Sequence, residues 1–240
     1  MTTDVLKDLA PGGKIRAAIN VGNIVLAKAA EGAGDPSGIT VDLARELAKR
    51  LGVPVEFVVF DSAGKVSDVA NKDVWDICFL AIEPARAAEV EFTAPYVLIE
   101  GTYLVAKNSP WQKTGDVDAP GVRIGVNVGA AYDLFLTRSL KHATLVRADH
   151  GTSMFDLLEA GKVDVAAGVR QPLDIYARSH ADVRVMPDRF MEIRQAMAAS
   201  KGRLAGQRYL ASFIEEMKAS GFVAEAIKRH NQAAAVAPKA

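Results

Sequence analysis

The chain has 240 residues, half of them apolar, enough for one large α/β domain or two small ones. Its 29 basic and 29 acidic side chains cancel, and no long run of either sign offers the footprint that nucleic acid or an anionic membrane requires. The single cysteine rules out an intrachain disulfide, and nowhere do about eighteen apolar residues run together as a membrane span needs.

In chain order, a polar lead-in closed by Pro11-Gly12-Gly13 precedes a first strand over residues 14–19, which ends at the loop Asn20-Val21-Gly22-Asn23. Loops at strand ends are where α/β proteins hold ligands, which makes Asn20 and Asn23 pocket candidates, with loop capping as the alternative. Val41, Ala44, Leu47, Ala48 and Leu51 then recur at helical spacing, with Thr40 as the expected N-cap and Gly52 as the stop. A β-branched run over residues 55–60 reads as a strand, residues 65–71 as a short helix, and residues 75–82 as a buried strand. Within that strand Cys78 reads as a small core hydrophobe, and Trp75 as core.

Strand and helix in alternation imply a parallel sheet with right-handed crossovers. The pattern then breaks into a long extended stretch over residues 97–106. A second series restarts with strands at 122–126, 144–147 and 163–167, and helices beginning near Gly129 and Met154. Extended segments at 184–186 and 190–198 follow, then helices carrying Leu210, Phe213, Ile214 and Met217, and Phe222, Ala226 and Ile227. The tail from Gln232 has no period and reads as frayed.

No Gly-x-Ser-x-Gly elbow, P-loop or His-Glu-x-x-His occurs, and the scattered His142, His150, His180 and His230 lack metal-ligand spacing. Neither a metal nor a cofactor is expected. Two features point to anion binding instead. In Gly125-x-x-x-Gly129 a glycine turn joins strand to helix, so the N–H groups of Ala130 and Ala131 are expected to point from a helix N-terminus, with Tyr132 in the same turn. A tight turn that needs glycine is the other reading, and packing is the other reading of Tyr132. Arg86 follows the buried strand directly and places a guanidinium fork where a ligand carboxylate would lie. An internal ion pair with Glu83 is its alternative.

Taken together, Gly38-Ile39-Thr40-Val41-Asp42, Trp75-Asp76, Pro84-Ala85-Arg86-Ala87, Phe92-Thr93-Ala94-Pro95-Tyr96 and Gly161-Lys162-Val163-Asp164 make the chain resemble the bacterial extracellular solute-binding proteins of family 3, from about Gly13 to Asn231. The resemblance implies a two-lobed α/β clamshell of the type II periplasmic-binding-protein kind, each lobe a mainly parallel sheet flanked by helices. Lobe 1 would be residues 1–98 with 195–240 and lobe 2 residues 99–194, joined by two extended hinge crossovers, with the ligand cleft between them.

It further implies a monomer that closes around a small polar ligand, an amino acid or another small carboxylate, and hands it to the membrane subunits of an ABC transporter. By resemblance Arg86 grips the ligand carboxylate, and Ala130 and Ala131 supply N–H donors. Ala81 and Val169, at the ends of the third strand of each half, join the pocket. Two positions depart from the family pattern: Glu83 stands where the family has threonine, and Val169 or Gly168 where it has the acid that holds a ligand ammonium. A dehydratase on the same scaffold, with Glu83 as proton donor, is the enzymatic alternative. Periplasmic location is implied by the family, while the start of the chain shows no apolar export segment and leaves a cytoplasmic sensor as the other expectation.

Overall fold

The computed structural model describes residues 2–148 and 151–240, so His150 lies outside the described residues. The chain divides into two compact units, residues 1–98 with 194–240, and residues 99–193.

The first unit contains helix α1 (Thr2–Leu9), strand β1 (Ile15–Asn20), helix α2 (Ile39–Leu51), strand β2 (Val55–Phe60), helix α3 (Ala63–Ser67), strand β3 (Ile77–Ala81) and the short helix α4 (Pro84–Ala87). Strand β4 (Val90–Ala106) then carries the chain into the second unit. There the order is β5 (Arg123–Asn127), α5 (Ala131–Ser139), β6 (Thr144–Ala148), α6 (Met154–Glu159), β7 (Val165–Val169), α7 (Arg170–Ser179) and β8 (Val183–Val185). Strand β9 (Met191–Ser200) returns to the first unit, which ends with α8 (Leu204–Ala219), α9 (Phe222–Arg229) and β10 (Ala235–Val236).

The two units repeat one sheet plan. In the first, β1 runs parallel to β2 from Ile15↔Val55 to Asn20↔Phe60 and parallel to β3 at Ala17↔Ile77, and β9 closes the other edge of β3 in antiparallel register. In the second, β5 runs parallel to β6 and to β7, and the far half of β4 lies antiparallel to β7. Burial explains the sequence pattern, since all five residues of β3 are buried and a strand covered on both faces reads as a continuous apolar run.

A shared ionic clasp fixes the third strand to the first in each unit. The Arg16 backbone N–H, Nε and Nη2 all close on the Asp76 carboxylate at 2.9–3.0 Å. Arg123 does the same to Asp164 at 2.8–3.1 Å. In both units the aspartate N–H answers by donating to the carbonyl of its arginine. After each first strand the chain repeats Asn-Val-Gly, as Asn20-Val21-Gly22 and Asn127-Val128-Gly129.

Three expectations are corrected. The polar lead-in is helix α1, because Val5 and Leu9 bury one face on α8, where the Gly206 N–H donates to Asp8 Oδ2. The tail is not frayed at 235–237: β10 pairs with Val97 and Leu98, and the Ala237 N–H donates to the Tyr96 carbonyl. Thr40 is likewise inside α2, with Gly38 at the N-cap, and its hydroxyl donates to the Leu26 carbonyl. Gly52 ends the helix as expected.

Trp75 and Cys78 are core residues, and Trp75 Nε1 donates to the Val66 carbonyl. Burial pushes the Cys78 thiol up, against the pull of nearby Arg86. No helix among the described residues is long and apolar enough to cross a membrane.

Candidate functional site

Arg86 is placed by the end of β3. After Ala81 the chain turns through Ile82, and Glu83 caps α4 with Pro84 at the first helical position. The Ala87 N–H donates to the Glu83 carbonyl, and this single turn swings the Arg86 side chain back toward β3, where Nη1 donates to the Ala81 carbonyl at 3.1 Å. Glu83 and Arg86 are each only 3 % exposed. Burial lowers the Arg86 pKa from its ordinary value, and the nearby Glu83 carboxylate pulls it back up. A guanidinium held this far from water at the carboxyl end of a parallel strand is a concentrated positive charge whose hydration has been replaced by a few fixed oxygens.

Both asparagines of the β1 loop act on their own backbone. Asn20 Oδ1 accepts from the Gly22 N–H at 3.0 Å and Asn23 Oδ1 from the Val25 N–H at 3.3 Å. The loop runs close against the end of β2, for a methyl group added to Gly22 would lie 2.1 Å from the Asp61 carbonyl oxygen. Loop capping, one of the two readings of these asparagines, is thus realised in their side-chain oxygens.

In the second unit, the start of α5 is occupied differently from expectation. The Ala130 N–H donates to the Asn127 carbonyl within its own turn, so of the two expected donors it is Ala131 that opens the helix. Asp133, nearly fully buried, lies in the first turn, accepts from the Gly129 N–H at 2.9 Å and pairs with Arg147 Nε at 3.0 Å. A carboxylate of the chain itself therefore faces the positive end of this helix. Of the two readings of Tyr132, packing is the one realised: it packs with Tyr103, Ile124 and Leu136, and its hydroxyl meets Met154 Sδ at 3.9 Å.

Val169 ends β7 and caps α7, pairing with Gly101 of β4. The next residue, Arg170, was not singled out by the sequence reading. Its Nε donates to Glu100 Oε2 at 2.6 Å, and its Nη groups donate to the carbonyls of Met186, Pro187 and Asp188. With this arginine and Arg189 beside it, Glu100 has its pKa lowered, chiefly by the hydrogen bond from Arg170. A basic residue three positions past the strand expected at 163–167 is the signal that marks Arg170 in the sequence. Among the described residues no group of histidine, cysteine, aspartate and glutamate is placed to hold a metal ion.

The sequence profile of the bacterial extracellular solute-binding proteins, family 3, matches residues 26–233. The chain belongs to that family. It is 25 % identical over 192 residues to the L-cystine-binding protein of Escherichia coli strain K12, covering 78 % of this chain and 71 % of the relative. It is also 24 % identical over 195 residues to the cyclohexadienyl dehydratase of Pseudomonas aeruginosa, covering 79 % and 72 %. The crystal structure of a cysteine-binding protein from Campylobacter jejuni superposes with a TM-score of 0.79 at 21 % identity, over 94 % of this chain and 92 % of that one, and fixes the fold as the two-lobed α/β type. As a family 3 member the chain is a solute-binding protein for a small polar ligand, and binding proteins outnumber enzymes among its named relatives.

Proposed function

We propose that the solute is a small carboxylate, with amino acids as the first candidates, and that Arg86 takes its carboxylate group. The observation that carries this reading is the burial of the Arg86 guanidinium at the carboxyl end of β3, with Glu83 beside it. A charge so desolvated gains most from an anion that can lie against its planar fork. The named relatives support the amino-acid class, since cystine and cysteine each carry carboxylates. At the end of β7, Val169 and Arg170 offer a ligand ammonium no carboxylate, so within this reading Glu83 is its partner in the first unit.

The protein delivers its solute to the membrane subunits of an uptake transporter, acts as a monomer and works outside the cytoplasm. Fractionation of the native host tests the location, and a cytosolic signal overturns it.

Titration calorimetry against the standard amino acids and small mono- and dicarboxylates tests the ligand class. We expect affinity in the micromolar range, about −8 kcal/mol, for at least one of them. Arg86→Ala should weaken that affinity by about 2–5 kcal/mol, the cost of removing one partner of a buried charge pair. Unchanged affinity in that variant removes Arg86 from the site. Incubation with prephenate or arogenate should yield no aromatic product.

A further inference from the structure

Buried polar side chains in folded proteins have hydrogen-bond partners, and an exception asks for a reason. Among the described residues Asp76 holds Arg16 and Arg203, Asp133 holds Arg147 and the Gly129 N–H, and each buried threonine donates its hydroxyl to an oxygen. The two buried glutamines differ. Gln207 Nε2 donates to the carbonyls of Glu91 and Ala199, at 3.0 and 3.2 Å. Gln195, only 5 % exposed on β9, makes no side-chain hydrogen bond among the described residues. Its amide end is nevertheless not sealed in, unlike the Tyr96 hydroxyl, which is fully enclosed and without a partner among the described residues.

The position of Gln195 gives the exception its meaning. In the antiparallel ladder between β3 and β9 it stands directly across from Ala81, the residue whose carbonyl accepts from Arg86. Side chains of a cross-strand pair share one face with their Cβ atoms about 5 Å apart. Gln195 and the small Ala81 therefore lie on one face of the sheet, at the strand end where Arg86 is held. A largely buried glutamine whose polar end makes none of the protein contacts that hold Gln207 leaves its carboxamide available to something that binds.

We propose that Gln195 is a ligand-contacting residue, its carboxamide binding a hydroxyl, amide or carboxylate oxygen of the solute beside the group that Arg86 holds. This rests on the reading of Arg86 as the carboxylate anchor and extends it to selectivity, because a neutral donor and acceptor discriminates among solutes that share the same carboxylate. Gln195 would then set which solute is held, and Arg86 that one is held at all.

The test uses the full chain with Gln195→Leu, which keeps the bulk and removes the polarity, measured beside Arg86→Ala. Without ligand, Gln195→Leu should leave the thermal midpoint within about 2 °C of the wild type, since no hydrogen bond of the fold is removed. For the panel member that the wild type binds, its affinity should fall roughly tenfold and the ranking of panel members should change. A midpoint lowered beyond that range would show that the amide has a structural partner and overturns the inference. So does an unchanged affinity and ranking where Arg86→Ala abolishes binding, an outcome that leaves the Arg86 reading standing. No binding of any panel member by the wild type overturns both.

Discussion

In the first unit the Asp76 carboxylate receives three donors from Arg16 and a fourth from Arg203 Nη1 at 3.2 Å, and its side chain is entirely buried. In the second unit the same three donors of Arg123 close on Asp164, yet the aspartate side chain is 35 % exposed and the arginine 45 %. The wiring is the same and the surroundings differ. Geometry alone therefore does not tell what an ion pair contributes: a carboxylate out of water depends on its arginines, while one in water exchanges them for solvent at little cost.

The sharpest way to break this comparison is to remove the two carboxylates. Asp76→Ala strands Arg16 and Arg203 against the base of the first sheet and should cost about 3–5 kcal/mol in urea unfolding. A cost near that of the Asp164 variant below would sink the argument from burial.

The repeated Asn-Val-Gly loops give a second, smaller contrast, because their glycines are needed for different reasons. At Gly22 the constraint is contact, with the Asp61 carbonyl only 2.1 Å from an added Cβ. At Gly129 it is the backbone, held at φ 71°, a conformation that L side chains rarely adopt. Gly22→Ala should cost about 2–3 kcal/mol by forcing the loop away from β2, and Gly129→Ala about 1–2 kcal/mol by strain. Paired thermal melts decide the order, and a reversal would show that the β1 loop yields more readily than its geometry suggests.

The smallest effect is the most specific in its pH dependence. The hydrogen bond from Arg123 holds the Asp164 carboxyl below its usual range. A carboxyl with a lowered folded pKa contributes stability that is fully present above the unfolded value near about 3.9 and is lost as pH falls through the folded one. With both partners this exposed, Asp164→Asn should cost at most about 1 kcal/mol near neutral pH. Urea titrations at about pH 7 and about pH 2.5 should show that gap closing in acid. A gap that widens in acid contradicts the assignment.

Much of this was legible in the sequence, and what was not has a common cause. Strand β2 was read over its observed residues, and Gly52 was placed as the helix stop, because β-branched runs and a glycine before Val53-Pro54 are local signals. Arg86 was singled out from its place after a buried strand, and its burial there is observed. Helix α1 escaped because its few apolar residues gain meaning only from α8, some two hundred positions on, and β10 because a two-residue ladder to Val97 and Leu98 leaves no trace in its own composition. For Tyr132 pocket and packing stayed open, because a helix N-terminus shows where a turn begins and not which way an aromatic ring packs. Gln195 could not be read at all: a glutamine in a strand announces neither its burial nor its missing partner.

The lone thiol of Cys78, wholly buried in the middle strand run of the first unit, makes the molecule its own stopwatch. The second unit contains no cysteine, so a thiol reagent in solution can mark the chain only during those moments when the first unit opens far enough to uncover β3. The labelling rate under native conditions counts these excursions directly. A solute that anchors on Arg86, a neighbour of that thiol, would slow the clock in proportion to its occupancy, and would report binding without any change to the protein.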